Sequence, residues 1–223
     1  MDYGIIVPQG WRMDLVGIAD PIEAYEAMTR VAQEAEALNF HSIWLYDHFH
    51  TIPTPTQEVT FECWTSTAAL ARDTKRVRIG QMVTCNSYRN PALLAKIAST
   101  VDTLSHGRLD FGIGAGWYDH EYHAYGYTYP GTGERLRRLH EAVQIILAMW
   151  TQDEATFEGQ YYQVKGANQP AQGSTKAAYS PAHWRRWRKG HAQAGCPICE
   201  RVQCGGRYRH HQTQICRSQA ALR

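Results

Sequence analysis

The run Ser42-Ile43-Trp44-Leu45-Tyr46-Asp47-His48 limits the folds open to this chain more than any other stretch. Its apolar residues are continuous rather than alternating. That is the mark of a strand buried on both faces, as in a parallel sheet covered by helices. The run stops at an acid and an imidazole. In α/β folds the carboxyl ends of such strands line the ligand crevice, so Asp47 and His48 are the first candidates for chemistry. The plainer reading makes Asp47 a cap for the next turn and His48 a hydrogen-bonded loop histidine.

The neighbouring segments support a layered α/β architecture. Tyr3 to Val7 reads as a short strand. Asp20-Pro21 starts a helix with Ile22, Tyr25, Met28, Ala32, Ala35 and Leu38 at helical spacing. A Pro/Thr-rich loop from Thr51 to Thr56 leads to a helix at about 58–72. Arg76 to Val83 is a third strand, Asn90-Pro91 opens a helix through Leu104, and Arg108 to Ile113 is a fourth strand. A glycine-rich, aromatic loop spans Gly114 to Gly133. The next helix, about 134–150, places Leu136, Leu139, Val143, Ile146, Leu147 and Trp150 on one face. Thr156 to Val164, turning at Glu158-Gly159, reads as a hairpin. The β-α-β-α-β-α-β-α order predicts a parallel sheet, doubly wound or barrel. Polar or glycine-rich residues after strands two, three and four favour a barrel mouth. A complete eight-unit barrel needs about 250 residues, and four units are legible.

Three groups of residues besides Asp47 and His48 point to the mouth. Gly112-Ile113-Gly114-Ala115-Gly116 follows strand four with G-x-G-x-G spacing, which differs from the dinucleotide fingerprint. Glycines there let a ring system or phosphate approach the backbone, or serve only a tight strand exit. Gln81 to Asn86 ends strand three with small polar groups. Trp117, Tyr118, Tyr122, Tyr125, Tyr127 and Tyr129 make an aromatic segment that either walls a flat cofactor or forms a packed lid.

The segments SIWLYDHFHTIPTP, IGQMVTCNSYRNPALLAK and GRLDFGIGAGWYDHEYHAYGYTYP together resemble the luciferase-like monooxygenase superfamily. The resemblance is strongest to its oxidoreductases that use the deazaflavin coenzyme F-420. It implies a (β/α)8 TIM barrel with the cofactor at the C-terminal mouth. By resemblance, Asp47 and His48 lie beside the reactive face of the deazaflavin. Met82-Val83 matches a bulge carrying a cis non-proline peptide behind the ring. Thr84 and the Gly114-Ala115-Gly116 backbone match cofactor contacts. Trp117 stands where sugar-phosphate dehydrogenases of the family have a glutamate, which argues against assuming their substrate. The implied reaction is hydride transfer between the deazaflavin and a small organic substrate, with His48 as acid or base. An FMN-dependent monooxygenase is the alternative.

Composition divides the chain. Residues 1–170 hold 13 Lys and Arg against 20 Asp and Glu, a balance of −7, whereas residues 171–223 hold 10 against one, a balance of +9. Four of the six cysteines (Cys196, Cys199, Cys204 and Cys216) follow the break. Taken at face value, these with His210 and His211 suggest a zinc site, and His183 to Lys189 a nucleic-acid contact. A frame shift near Pro170 to Gly173 explains more. One nucleotide out of frame, His183 to Gly190 can encode Ile-Gly-Gly-Gly-Gly-Glu-Lys. The surrounding codons then allow the strand, glycine loop and helix of the next βα unit. The expectation is a truncated family member with an out-of-frame tail, weakly active or inactive unless half-barrels form a homodimer. Resequencing from codon 160 tests this: an intact frame as given would overturn it. No run approaches the roughly 18 apolar residues of a membrane span. The N-terminus lacks signal-peptide features, so the expected location is cytoplasmic, with no membrane or nucleic-acid partner.

Overall fold

The computed structural model describes residues 2–168. The proposed frame shift, the zinc and nucleic-acid readings and the whole basic tail lie outside these residues. Four parallel strands form the central sheet: β1 (Gly4–Ile6), β2 (Ser42–Leu45), β3 (Arg78–Gln81) and β5 (Leu109–Asp110), in the order β1-β2-β3-β5. Between β3 and β5 in the chain comes β4 (Thr84–Cys85), which pairs in parallel with β6 (Ile113–Gly114). The third and fourth expected strands are therefore each divided in two. In the third, the division falls at the Met82-Val83 peptide, which is cis. The sheet does not close: among the described residues β1 and β5 are its edges.

Helices α1 (Pro21–Ala37), α2 (Cys63–Asp73) and α3 (Pro91–Leu104) connect the strands, and each end has a local cause. Asp20 and Asn90 accept backbone N–H groups of their helices, with proline at the first helical position. α2 begins later than the expected 58 because Glu62 is its cap, accepting the Trp64 and Thr65 N–H groups. Met28, Ala32 and Ala35 of α1 are buried as expected, but Ile22 and Leu38 are exposed. Ile22 lies off the 28/32/35 stripe, and Leu38 falls at the helix terminus.

Residues 114–133 contain a short helix, α4 (Asp119–Ala124), which the glycine and aromatic content concealed. α5 (Thr132–Thr151) buries Leu139, Val143, Ile146 and Trp150, and it packs on α3 and on the antiparallel hairpin β7 (Glu154–Glu158)/β8 (Gln163–Asn168). Glu141 fixes the hairpin turn by accepting Gln160 N, Tyr161 N and Tyr162 N at 2.9, 2.9 and 3.1 Å.

At the N-terminal pole of the sheet, buried Arg108 directs all its guanidinium donors inward. Nε donates to Ser105 O (2.7 Å), Nη1 to Val77 O (2.6 Å) and Thr74 Oγ1 (3.0 Å), and Nη2 to Ala71 O (2.6 Å) and Thr74 O (3.0 Å). Five donors in a fixed fork match a cluster of carbonyls where α2 ends and β3 begins. The opposite pole, where β2, β3 and β6 end, carries the candidate site.

Candidate active site

The backbone after β2 is set by Gln9. Its amide donates to Tyr46 O (2.9 Å) and Phe61 O (2.6 Å), and its carbonyl accepts from Tyr46 N (2.8 Å). Asp47 and His48 follow in opposite roles. Asp47 is buried, with both oxygens engaged: Arg89 Nη1 and Nη2 donate to Oδ2 and Oδ1 at 2.6 and 2.9 Å, and Cys85 N donates to Oδ2 at 2.8 Å. Arg89 Nη2 also donates to Glu62 Oε1 at 2.5 Å. Burial lowers the Arg89 pKa, but Asp47 and Glu62 outweigh it, and the net direction is upward.

His48 is partly exposed, and its partner is Glu121 of α4 rather than Asp47. His48 Nδ1 lies 2.8 Å from Glu121 Oε2. Glu121 is fully buried, at 0% exposure. It also accepts Tyr88 OH at 2.7 Å, Phe49 N at 2.6 Å and His50 N at 2.9 Å. Burial raises its pKa, yet the His48 hydrogen bond and charge, the His50 N–H and the Tyr88 hydroxyl together bring it below the ordinary carboxylate value. The imidazole lies flat on Trp11, with centroids 4.3 Å apart and planes 2° from parallel. Trp117 and Tyr118 approach it edgewise at 5.8 and 6.0 Å.

Beside this unit, Met82 and Val83 are partly exposed, while Thr84 is buried. The glycines also have a packing reason to lack a side chain. Their close neighbours are protein groups. A Cβ on Gly112 would lie 2.5 Å from Gln81 O, and one on Gly114 2.9 Å from Val83 Cγ2. Gly116, at φ +78°, faces Tyr122 Oη and Cys85 Sγ. The glycines thus admit the Val83 bulge and the Tyr122 ring. Ala115 is partly buried against the core. Trp117 is 58% exposed and stacks on Tyr118. The aromatic segment is divided: Tyr122 is a packed lid residue, and Trp117 faces solvent beside His48.

The sequence pattern of the Luciferase-like monooxygenase family matches residues 1–186. The chain belongs to that family. The match runs past 170–173, where composition changes. Two curated family relatives are F-420-dependent glucose-6-phosphate dehydrogenases. That of Amycolatopsis mediterranei is 35% identical over 143 residues, 63% of this chain and 42% of the relative. That of Kineococcus radiotolerans is 37% identical over 141 residues, 61% and 40%. The chain therefore spans about two-fifths of their length. Among solved structures, an F-420-dependent secondary alcohol dehydrogenase in complex with an F-420–acetone adduct superposes with a TM-score of 0.63 at 26% identity, covering 78% of this chain and 50% of that one. The FMN-bound oxygenating constituent of 3,6-diketocamphane monooxygenase from Pseudomonas putida shares the fold, with a TM-score of 0.60 at 21% identity. These neighbours place the chain's open parallel sheet in the TIM-barrel class of the family.

Sequence reasoning singled out His48 as a candidate and, by family resemblance, the Met82-Val83 cis peptide that the structure contains. It passed over Glu121, Tyr88, Arg89 and Trp11. One signal was present for Glu121: an acid embedded in an aromatic run, Trp117 to Tyr125, is oddly placed for a solvated face. Among the described residues no group of His, Cys, Asp and Glu could hold a metal ion, and no helix is long and apolar enough to cross a membrane.

Proposed function

We propose that this chain carries the proton-handling half of a deazaflavin-dependent oxidoreductase site acting on a small alcohol or carbonyl compound. The observation that carries the reading is the placement, just past the carboxyl ends of the adjacent parallel strands β2 and β3, of a partly exposed His48, anchored through Nδ1, and the partly exposed Val83 bulge. The bulge fits a flat ring system: Val83 offers an apolar support, and Thr84 Oγ1 beside it is buried with no partner among the described residues. Met82, Val83, Thr84, the Gly114-Ala115-Gly116 backbone and Trp117 are the residues that would hold coenzyme F-420. The names of the curated relatives support the choice of coenzyme.

When bound, the coenzyme would supply the hydride acceptor or donor. His48 Nε2 takes the substrate hydroxyl proton as the adjacent carbon gives up hydride, and returns it in the reverse direction. Trp11 covers one face of the imidazole and Trp117 meets it edgewise. Asp47 acts at one remove, as a positioning residue that locks the strand end to Arg89. With Trp117 exposed beside His48, the mouth favours an uncharged organic substrate over a sugar phosphate. A cytoplasmic location belongs to the same reading.

Fluorescence titration with deazaflavin and with FMN tests the assignment, read beside a Val83→Asp variant. Saturable deazaflavin binding that V83D weakens at least tenfold is expected. Binding of FMN alone would overturn the deazaflavin reading in favour of an FMN-dependent monooxygenase.

A further inference from the structure

We propose that Glu121 is a positioning residue that selects the His48 tautomer protonated at Nδ1, so that Nε2 presents a bare lone pair to the substrate. The inference rests on the reading of His48 as the proton carrier and adds the residue that prepares it. Three observations support it.

The first is the directionality of the bonds. Glu121 Oε1 receives the Phe49 and His50 N–H groups at 2.6 and 2.9 Å, and Oε2 receives Tyr88 OH at 2.7 Å. Backbone N–H groups can only donate, so they fix an acceptor at Oε1 and hold the carboxyl plane. These three donors on a fully buried group favour its ionised, acceptor-only form. An ionised carboxylate cannot donate. Of the two neutral imidazole tautomers, only the one with a proton on Nδ1 makes the 2.8 Å contact a hydrogen bond.

The second is the immobilised ring. Trp11 lies flat against one face at 4.3 Å, with Trp117 and Tyr118 edgewise. Exchange of the nitrogens by a ring flip would break the Glu121 bond inside this packing. The third is exclusivity. Glu121 is the one charged side chain hydrogen-bonded to the imidazole among the described residues, while the neighbouring acid Asp47 is occupied by Arg89 and Cys85 N.

Replacement by glutamine gives a prediction that a purely structural role would not make. In Glu121→Gln the Phe49 and His50 N–H groups still demand an oxygen at the Oε1 position. The amide NH2 must then occupy the Oε2 position, facing Nδ1 and Tyr88. A donor facing Nδ1 forces the opposite tautomer, with the proton on Nε2.

The experiment is long-range 1H–15N correlation on the 223-residue chain labelled at its 11 histidines. It is run near about pH 8, above the ordinary imidazole range, and His48 is assigned by its absence in His48→Asn. The wild type is expected to show a protonated Nδ1 and a bare Nε2. E121Q is expected to show the reverse, and Tyr88→Phe, which leaves Glu121 in place, the wild-type pattern. An Nε2-protonated wild type, an E121Q variant retaining the wild-type pattern, or a Y88F variant losing it would each overturn the proposal. If E121Q fails to fold, the wild-type and Y88F spectra decide. The readout uses no coenzyme, so failure of deazaflavin binding and failure of the tautomer assignment are separately visible.

Discussion

Asp47→Ala isolates the ion pair beneath the site. The substitution removes the two Arg89 bonds at 2.6 and 2.9 Å and strands the Cys85 N–H that donated at 2.8 Å. Breaking one side of a buried pair costs about 3–5 kcal/mol, and a stranded buried donor about 1–3 kcal/mol. Arg89 keeps Glu62, whose side chain is 40% exposed and supplies only screened compensation. The low ends therefore apply, and the expected loss is about 4 kcal/mol. With a urea slope of about 2 kcal/mol/M, the unfolding midpoint falls by about 2 M. Arg89→Met, which instead buries an unpaired carboxylate, is expected to cost a similar amount. The double variant buries neither charge, so its cost falls short of the sum by about 2–3 kcal/mol. Urea titration followed by circular dichroism measures all three. An Asp47→Ala midpoint within about 0.5 M of wild type at unchanged slope, or strict additivity in the double variant, would refute the reasoning.

Two further outcomes are expected. Gly114→Ala puts a methyl 2.9 Å from Val83 Cγ2 and should weaken deazaflavin binding several-fold, while Val83→Ala in the same chain restores space and part of the affinity; titration of the single and double variants shows it, and an unaltered G114A would contradict the packing. The carboxyls of Glu36, Glu62, Glu121 and Glu141 are each subject to burial, which raises their pKa, and each ends below the ordinary carboxylate value because hydrogen-bond donors prevail. Folded values below unfolded ones mean the unfolded chain binds more protons as pH falls. The stability they contribute is whole above about pH 4.5 and is lost below it, so the urea midpoint should drop between about pH 5 and pH 3. A flat profile there would be inconsistent with these contacts.

The sheet, its parallel order and most of the helices were legible because apolar runs and helical periods are local. Asn90-Pro91 and Asp20-Pro21 mark helix starts within two residues. What escaped was non-local. Glu121 looks like a surface acid until α4 brings it to His48, 73 residues away in sequence. Arg89 reads as a polar neighbour of a helix start until it meets Asp47. The glycines at 112 and 114 signalled close approach correctly, but not by what: Gln81 and Val83 arrive from the adjacent strand. The cis peptide that ends β3 was available only through family resemblance, since nothing in the local sequence demands it.

The Arg108 cluster and the His48–Glu121 unit sit at opposite poles of one sheet, and this separation governs how the protein can change. At the Arg108 pole, five donors are matched to backbone carbonyls of residues 71–77 and 105 and to the Thr74 hydroxyl, so almost any replacement damages the whole fold. At the mouth, Trp117 and Tyr125 are exposed, at 58% and 53%, and few contacts oppose their exchange. Selection on substrate preference can therefore act on the rim without consuming stability held at the far end. Inherited variation should divide accordingly, with uniformity at 105 and 108 and turnover at the exposed rim positions 117 and 125, but not at the buried Glu121 and Tyr122 between them.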